Sequence, residues 1–232
     1  MSALDRSLAS SLFAGMEVFT LNSAPVKREI RSHLLDERQR PIITKALRKT
    51  VISGARAALI YPRVNTTAES GTSVLQAAQT LAEHFPDQVG ALHGKMKSEE
   101  IHTALQALSE GTKPIVVAST VMETGIDVPD IRVLVVRDAD NFGAAQLHQL
   151  RGRLARNGGC ADFYMLVRSL DDLPPETMER LAMVRDTCDG YALAEADMRQ
   201  RGFGDLTGEA QSGAAMSAFR LLPLQVEDFA CV

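Results

Sequence analysis

The sequence has no tryptophan, and aromatic residues make up only 5% of its 232 positions. Proteins that stack the bases of a single strand need exposed aromatic side chains, so this composition does not indicate a stacking platform. The formal net charge is −4, whereas a domain dedicated to nucleic-acid binding is commonly basic. Any contact with a nucleic acid must therefore be local or shared with another domain.

Cysteine and long apolar runs are also scarce. Cys160, Cys188 and Cys231 are far apart, and no CxxC or Cys/His ligand spacing occurs. This usage is typical of reduced thiols in a cytoplasmic protein, and it predicts no metal site. Asp5 and Arg6 lie where a signal peptide needs an apolar core, and no run approaches 18 apolar residues. We therefore expect no signal peptide and no membrane contact.

Apolar runs alternate with helical patterns through most of the chain. Five runs are apolar throughout and predict strands covered on both faces: 57–61, 89–93, 114–119, 131–136 and 162–167. Apolar residues at helical spacing predict helices over 73–85, from Ser98 to Gly111, and over 144–155. This alternation is typical of an α/β fold in which helices cover both faces of a parallel sheet, giving three layers.

The two ends of the chain differ from this pattern. Residues 31–40 are polar, and from Pro174 onward two helical segments precede a loop rich in glycine. We therefore divide the chain into an N-terminal segment (1–40), the α/β lobe (41–172) and a C-terminal helical hairpin with its loop and tail (173–232).

Positive charge is concentrated in the stretch QLRGRLAR at 149–156. On a continuous helix, Gln149, Arg153 and Arg156 would share one face. Guanidinium groups match phosphate oxygens in pairs and do not deprotonate, so such a face suits a polyphosphate whose charge grows during hydrolysis. The alternative is a solvated basic face, although no acidic residue interrupts 141–157.

A second candidate is the segment VVASTVMETGIDVPD at 116–130. Ser119 and Thr120 end a predicted strand, Gly125 permits a tight turn and Asp127 offers a carboxylate. Turns that follow parallel strands lie at the carboxyl edge of the sheet, where α/β proteins bind ligands. The alternative is an ordinary connection between a strand and a helix.

Two further segments resemble known motifs but fail their requirements. GALHGKM at 90–96 has three residues between its glycines and no Ser or Thr after Lys95, whereas a phosphate loop needs four and a hydroxyl ligand for magnesium. LLDER at 34–38 is similar to an Asp-Glu metal box, but no apolar strand of suitable length precedes it. The chain thus combines arginine fingers with no phosphate loop of its own, which suggests half of a two-lobed motor.

Three motifs together resemble the second motor lobe of the RecG family of superfamily 2 branched-DNA helicases. They are VASTVMETGIDVPD, DADNFGAAQLHQLRGRLAR and RGFGDLTGEAQSG, which lie in this order between residues 117 and 213. The resemblance covers 41–224 and implies a RecA-like lobe with an appended helical hairpin. HGKM at 93–96 also matches a motif of this family. The segments TCDGYALAEADMRQRG at 187–202 and FRLLPL at 219–224 favour RecG over the related translocase Mfd.

The resemblance also implies roles for individual residues. Arg153 and Arg156 would be catalytic, reaching the phosphates of ATP held by the other lobe. Nucleotide contacts would come from Gly125, Asp127 and Gln149. Contacts to the DNA strand would come from His93, Gly94, Ser119, Thr120 and Thr124. A segment that couples hydrolysis to translocation would include Arg201, Gly204 and Gln211.

The same resemblance implies ATP and Mg²⁺, both bound mainly by a first lobe that this chain lacks, as it lacks the wedge domain. Branched DNA in recombination and repair would be the substrate, and the protein would be a monomer. The sixth helicase motif normally reads Arg-Gly-Arg-x-Gly-Arg, but Ala155 replaces its last glycine. Two alternatives stay open: a catalytically inactive relative that binds DNA or protein, and an Mfd-like translocase lobe.

Overall fold

The computed structural model describes residues 27–62, 67–119 and 131–187, without the side chains of 67–73. All of these residues fall within one compact unit, Val26–Leu193. The strands are β1 Arg28–Asp36, β2 Arg56–Tyr61, β3 Val89–Leu92, β4 Ile115–Ser119, β5 Ile131–Arg137 and β6 Gly159–Val167. The helices are α1 Arg40–Ile52, α2 Thr67–Ala82, α3 Ser98–Glu110, α4 Ala144–Arg151 and α5 Pro175–Asp186, with short 3₁₀ turns at Glu37–Gln39 and Ala139–Asn141.

The six strands form one sheet in the order β1-β6-β5-β2-β4-β3, and every pair of neighbours is parallel. Side chains of each strand alternate between two apolar cores. Phe163 and Met165 of β6 face the core that contains Leu147 of α4 and Leu181 of α5. Tyr164 of β6 faces the other core, on the side of α1 and α2. The predicted three-layer α/β architecture is therefore confirmed.

Strand β1 was not predicted, because its sequence is too polar to read as a buried strand. It pairs with β6 along its whole length and lies at one edge of the sheet. Arg28, Glu29 and Arg31 are exposed, and charged side chains are typical of edge strands because they oppose pairing with another chain. The sheet thus extends to the N-terminal side of residue 41, where the sequence placed the start of the lobe.

Strand β1 also bears on the rejected metal box at 34–38. A strand does lead to Asp36, but its sequence, REIRSHLLD, is largely polar, so it is not the apolar strand that such a box requires. The Asp36 carboxylate instead accepts hydrogen bonds from Arg38 Nε at 2.9 Å and from the Arg38 backbone N–H at 3.0 Å. Within the described ranges, no group of three His, Cys, Asp or Glu side chains could hold a metal ion. No helix in those ranges is both long and apolar enough to cross a membrane.

Candidate functional site

The arginine stretch does not continue as one helix. Helix α4 ends at Arg151, Gly152 caps it, and 152–157 form turns. After Arg151 the backbone turns more tightly than an α-helix, because each N–H bonds to the carbonyl oxygen three residues earlier. Arg153 N–H donates to Leu150 O and Leu154 N–H to Arg151 O, each at 3.1 Å. The expectation that Gln149, Arg153 and Arg156 share one helical face is therefore wrong. Arg153 and Arg156 lie instead in a loop, residues 152–158, which we call the arginine loop.

The arginine loop lies at the amino edge of the sheet. Ala155 N–H donates to the carbonyl oxygen of Ile131, the first residue of β5, at 3.1 Å. Just after the loop, Gly159 N–H donates to Lys27 O at 3.2 Å. Because parallel strands share their amino edge, these two bonds place the loop across the beginnings of β1, β5 and β6.

Two arginine side chains from the sheet support the loop. Arg28 Nη1 donates to Gly152 O at 3.1 Å. Arg132 Nη1 donates to Gly158 O at 2.6 Å and to Cys160 O at 3.3 Å. Sequence reasoning missed both residues. The signal for Arg132 was present, since it is a charged residue inside the apolar strand IRVLVV.

The loop depends on left-handed backbone. Ala155 has φ 49°, Gly158 φ 88° and Gly159 φ 89°. A Cβ at Gly159 would lie 2.6 Å from Arg132 Nη1, so glycine here permits both the turn and the approach of that guanidinium. Ala155 occupies the position where the family motif has glycine, and its conformation shows why glycine suits it. The residue lies in a turn and is not helical.

The three arginines of the stretch have different surroundings. Arg151 is 3% exposed; it donates to Val184 O at 2.5 Å and contacts His148 Nδ1 at 2.9 Å, so it ties α4 to α5. Arg153 is half-buried and Arg156 is exposed, as is Gln149 near the end of α4. A loop that presents two guanidinium groups on a fixed backbone is suited to binding phosphate oxygens.

Of the predicted DNA contacts, His93, Gly94 and Ser119 lie at the opposite edge of the sheet. Ser119 is the last residue of β4 and is buried, whereas His93 directly follows β3. These strands are neighbours, with Leu92 opposite Ala118, so His93 and Ser119 are adjacent at the carboxyl edge. His93 Nδ1 is buried and has no hydrogen-bond partner among the residues that the structure describes. Gly94 is exposed in the turn that follows.

The sheet separates the two groups of residues. The seven residues of β5 span about 20 Å at roughly 3.3 Å per residue. The arginine loop and the pair His93–Ser119 thus lie near opposite ends of the strands and could contact two different ligands at once.

Several predicted site residues lie outside the described ranges. These are Thr120, Thr124, Gly125, Asp127, Arg201, Gly204 and Gln211.

Comparison with known proteins assigns the fold to a family. The family described as Helicase conserved C-terminal domain matches residues 42–158. ATP-dependent DNA helicase RecG of Synechocystis is 35% identical over 219 residues, which cover 90% of this chain and 25% of that protein. RecG of Thermotoga maritima is 32% identical over 228 residues, covering 95% and 28%. The chain thus spans about a quarter of the length of these curated relatives.

Comparison with solved structures supports the same family assignment. A structure of RecG bound to a three-way DNA junction is 30% identical to this chain and superposes with a TM-score of 0.72, covering 97% of this chain and 28% of that one. The Escherichia coli DEAD-box protein SrmB, at 21% identity and a TM-score of 0.50, shows likeness of fold alone. The chain therefore belongs to the helicase conserved C-terminal domain family, in which it matches the C-terminal lobe of RecG helicases.

Proposed function

We propose that this chain is the second motor lobe of a RecG-type, ATP-dependent DNA helicase that acts on branched DNA. The observation that carries the proposal is the arginine loop, which hydrogen bonds fix at the amino edge of the sheet and which presents Arg153 and Arg156. A first lobe with a phosphate loop, and a wedge domain, would complete the protein. A monomer in the cytoplasm fits the composition and the resemblance to this family.

The residues present suit a nucleoside triphosphate held by another lobe. Arg153 and Arg156 would donate N–H groups to oxygens of the transferring phosphoryl group, where negative charge grows. Arginine fingers raise hydrolysis rates by about 10³–10⁵-fold in general. Gln149, with Gly125 and Asp127, would contact the nucleotide beside them. Arg28 and Arg132 would keep the loop in position without touching ATP.

When bound, Mg²⁺ would supply charge neutralisation to the phosphates of the nucleotide. No described cluster of side chains here could hold it alone, so its protein ligands would come mainly from the first lobe.

DNA would contact the opposite, carboxyl edge of the sheet. His93, Gly94 and Ser119, together with Thr120 and Thr124, would donate to backbone phosphates, so binding would depend weakly on sequence and strongly on salt. Closing and opening of the cleft between lobes would then move this edge along one strand. The segment that contains Arg201, Gly204 and Gln211 would couple that movement to hydrolysis.

A chimera tests the proposal. This chain replaces the matching segment of the Thermotoga maritima relative, and DNA-stimulated ATP hydrolysis is measured. We expect activity in the chimera, a fall in kcat of about 10³-fold for Arg153→Ala, and little rescue by Arg153→Lys, since lysine lacks the planar fork. Lys49→Ala, an exposed change on α1, serves as the control and should leave activity unchanged.

The same experiment addresses the alternatives. A folded, DNA-binding chimera without ATP hydrolysis would contradict the proposal and favour an inactive binding relative. Hydrolysis that survives Arg153→Ala and Arg156→Ala would remove the arginine-finger role.

A further inference from the structure

A basic groove lies between α1 and α2, on one face of the sheet and distant from the arginine loop. Its volume is about 830 Å³, within the range typical of ligand-binding clefts. Its basic side chains come from α1, β5 and the turn after α2; they are Arg40, Lys45, Arg48, His84 and Arg137. None of the described side chains that line it is acidic. Such a concentration is unexpected in a chain whose net charge is −4.

The cations of α1 are arranged along one side of that helix. Arg40, Thr44 and Arg48 follow one another at intervals of four residues, so their side chains lie in a row, and Lys45 lies beside them. Lys45 and Arg48 are exposed and form no ion pair with any carboxylate in the described ranges. Their charge is therefore not neutralised by any carboxylate in the part of the chain that the structure describes.

Glu37 and Asp138 are acidic and lie near Tyr61 at the end of the groove, although neither lines it. Glu37 pairs with Arg40, at 3.5 Å, and with Arg137. It orients these two arginines and cancels one unit of charge, which leaves the groove with an excess of positive charge along Lys45 and Arg48.

The floor of the groove is largely apolar. It consists of Leu59 and Tyr61 of β2, with Ala77 and Leu81 of α2. The guanidinium carbon of Arg137 is 5.9 Å from the centre of the Tyr61 ring. Burial raises the pKa of the Tyr61 phenol, although Arg137 and Arg40 oppose the shift. The hydroxyl therefore stays protonated and can donate a hydrogen bond to an anion.

The groove is continuous with the carboxyl edge of the sheet. Tyr61 is the last residue of β2 and is paired in register with Ser119 of β4. A strand that contacts His93 and Ser119 could thus continue past Tyr61 into the groove.

We propose that this groove binds the sugar–phosphate backbone of a single nucleic-acid strand. Basic walls meet the phosphates, and the apolar floor accommodates sugars or bases, the combination used by grooves that track single strands. The site is separate from the arginine loop and adds a second DNA contact to the one at the carboxyl edge of the sheet. It rests on the proposed function only in taking DNA as the ligand.

Binding by the whole chain tests this site without ATP. Fluorescence anisotropy with a labelled oligothymidylate of 12 nucleotides compares the wild type with Lys45→Glu/Arg48→Glu. The matched control is Lys49→Glu/Lys113→Glu, which changes net charge equally at exposed positions outside the groove. Thermal melts of each variant establish that it is folded.

We expect the groove variant to bind at least tenfold more weakly and the control to stay within about threefold of the wild type. Each lost phosphate contact reduces the slope of log K against log salt by about 0.7 for single strands, so the groove variant should lose about 1.4 and the control little.

Three outcomes would overturn the proposal. The first is that the wild type fails to bind the oligonucleotide, and the second is that the two double variants weaken binding equally. The third is that inorganic tripolyphosphate displaces the strand at concentrations near those of the oligonucleotide, which would indicate a site for small anions. Failure here leaves the ATPase test of the chimera intact, and failure of that test leaves this one intact, so the two proposals are separable.

Discussion

At the scale of single residues, Ala155 has a left-handed backbone conformation that suits glycine better than alanine. Its φ is 49°, a conformation that costs an L-residue about 1–2 kcal/mol, yet its methyl group is fully buried. Replacing it by glycine relieves the backbone cost but loses about 0.8 kcal/mol of methyl burial and about 0.5–1 kcal/mol of chain entropy. These changes oppose one another.

We therefore predict that Ala155→Gly changes the free energy of unfolding by less than about 1 kcal/mol, because the relief of strain offsets the losses. Ala118→Gly is the matched control: this alanine is equally buried but lies in β4 without a positive φ. It should cost about 1.5 kcal/mol. Urea denaturation of both variants measures the difference, and equal losses would contradict a left-handed Ala155.

A second prediction concerns the contact between Gly159 and Arg132. Gly159→Ala introduces a Cβ 2.6 Å from Arg132 Nη1 at φ 89°, so we expect a loss of at least about 1 kcal/mol. The guanidinium must move and give up its bonds to Gly158 O and Cys160 O. Arg132→Ala loses the same bonds.

The two changes should therefore be non-additive. In a double-mutant cycle, Gly159→Ala with Arg132→Ala should cost less than the sum of the single variants by about 0.5 kcal/mol or more. Additive free energies of unfolding would show that Arg132 does not support the loop in this way.

At the scale of elements, the end of β1 is joined to α1 by Asp36. Its carboxylate caps the intervening 3₁₀ turn by accepting from the backbone of Arg38, and Gln39 Oε1 accepts from the Asp36 N–H at 3.2 Å. The hydrogen bond from the Arg38 side chain holds the pKa of Asp36 below its ordinary value of 3.8, although burial opposes this. The carboxylate form is thus favoured by folding.

This pKa shift predicts a pH dependence. A depressed pKa in the folded state stabilises the protein above the ordinary carboxyl pKa, and the contribution is lost as the pH falls through about 4 and below. Asp36→Asn should therefore lower Tm at pH 7 and flatten the decline of Tm between pH 5 and pH 3.

The control is Asp186→Asn. Arg185 also lowers the pKa of Asp186, but both side chains are largely exposed, so that pair should contribute little. The test is to measure Tm as a function of pH for the wild type, Asp36→Asn and Asp186→Asn. Identical pH profiles for wild type and Asp36→Asn would contradict the role given to Asp36.

Elements also show where sequence reasoning succeeds. Strands β2, β4 and β5 are apolar throughout because helices cover both faces, and their positions were predicted to within one residue. The edge strand β1 was missed because one of its sides is exposed and charged. The end of α4 was missed because it depends on Ala155 bonding to Ile131, a contact that no local pattern reveals.

At the scale of the whole molecule, parallel pairing explains what could be predicted of the site. The carboxyl ends of neighbouring strands must meet, so the adjacency of His93 and Ser119 follows from strand order. The amino-edge position of Arg153 and Arg156 follows from the same rule, because the segment between a helix and the next parallel strand must return to the amino edge. The loop conformation of these residues does not follow from it. Arg28 and Arg132 come from strands that are distant from the loop in sequence. Their hydrogen bonds to the loop could therefore be recognised only in the structure.

The central claim is that this lobe supplies arginines to a nucleotide bound elsewhere. The most direct test is ATP hydrolysis by the 232-residue chain alone, with and without branched DNA. We predict no hydrolysis in either condition, because the chain has no phosphate loop in its sequence. DNA-stimulated hydrolysis that Arg153→Ala abolishes and Lys49→Ala preserves would reveal a complete nucleotide site within this chain and contradict the account.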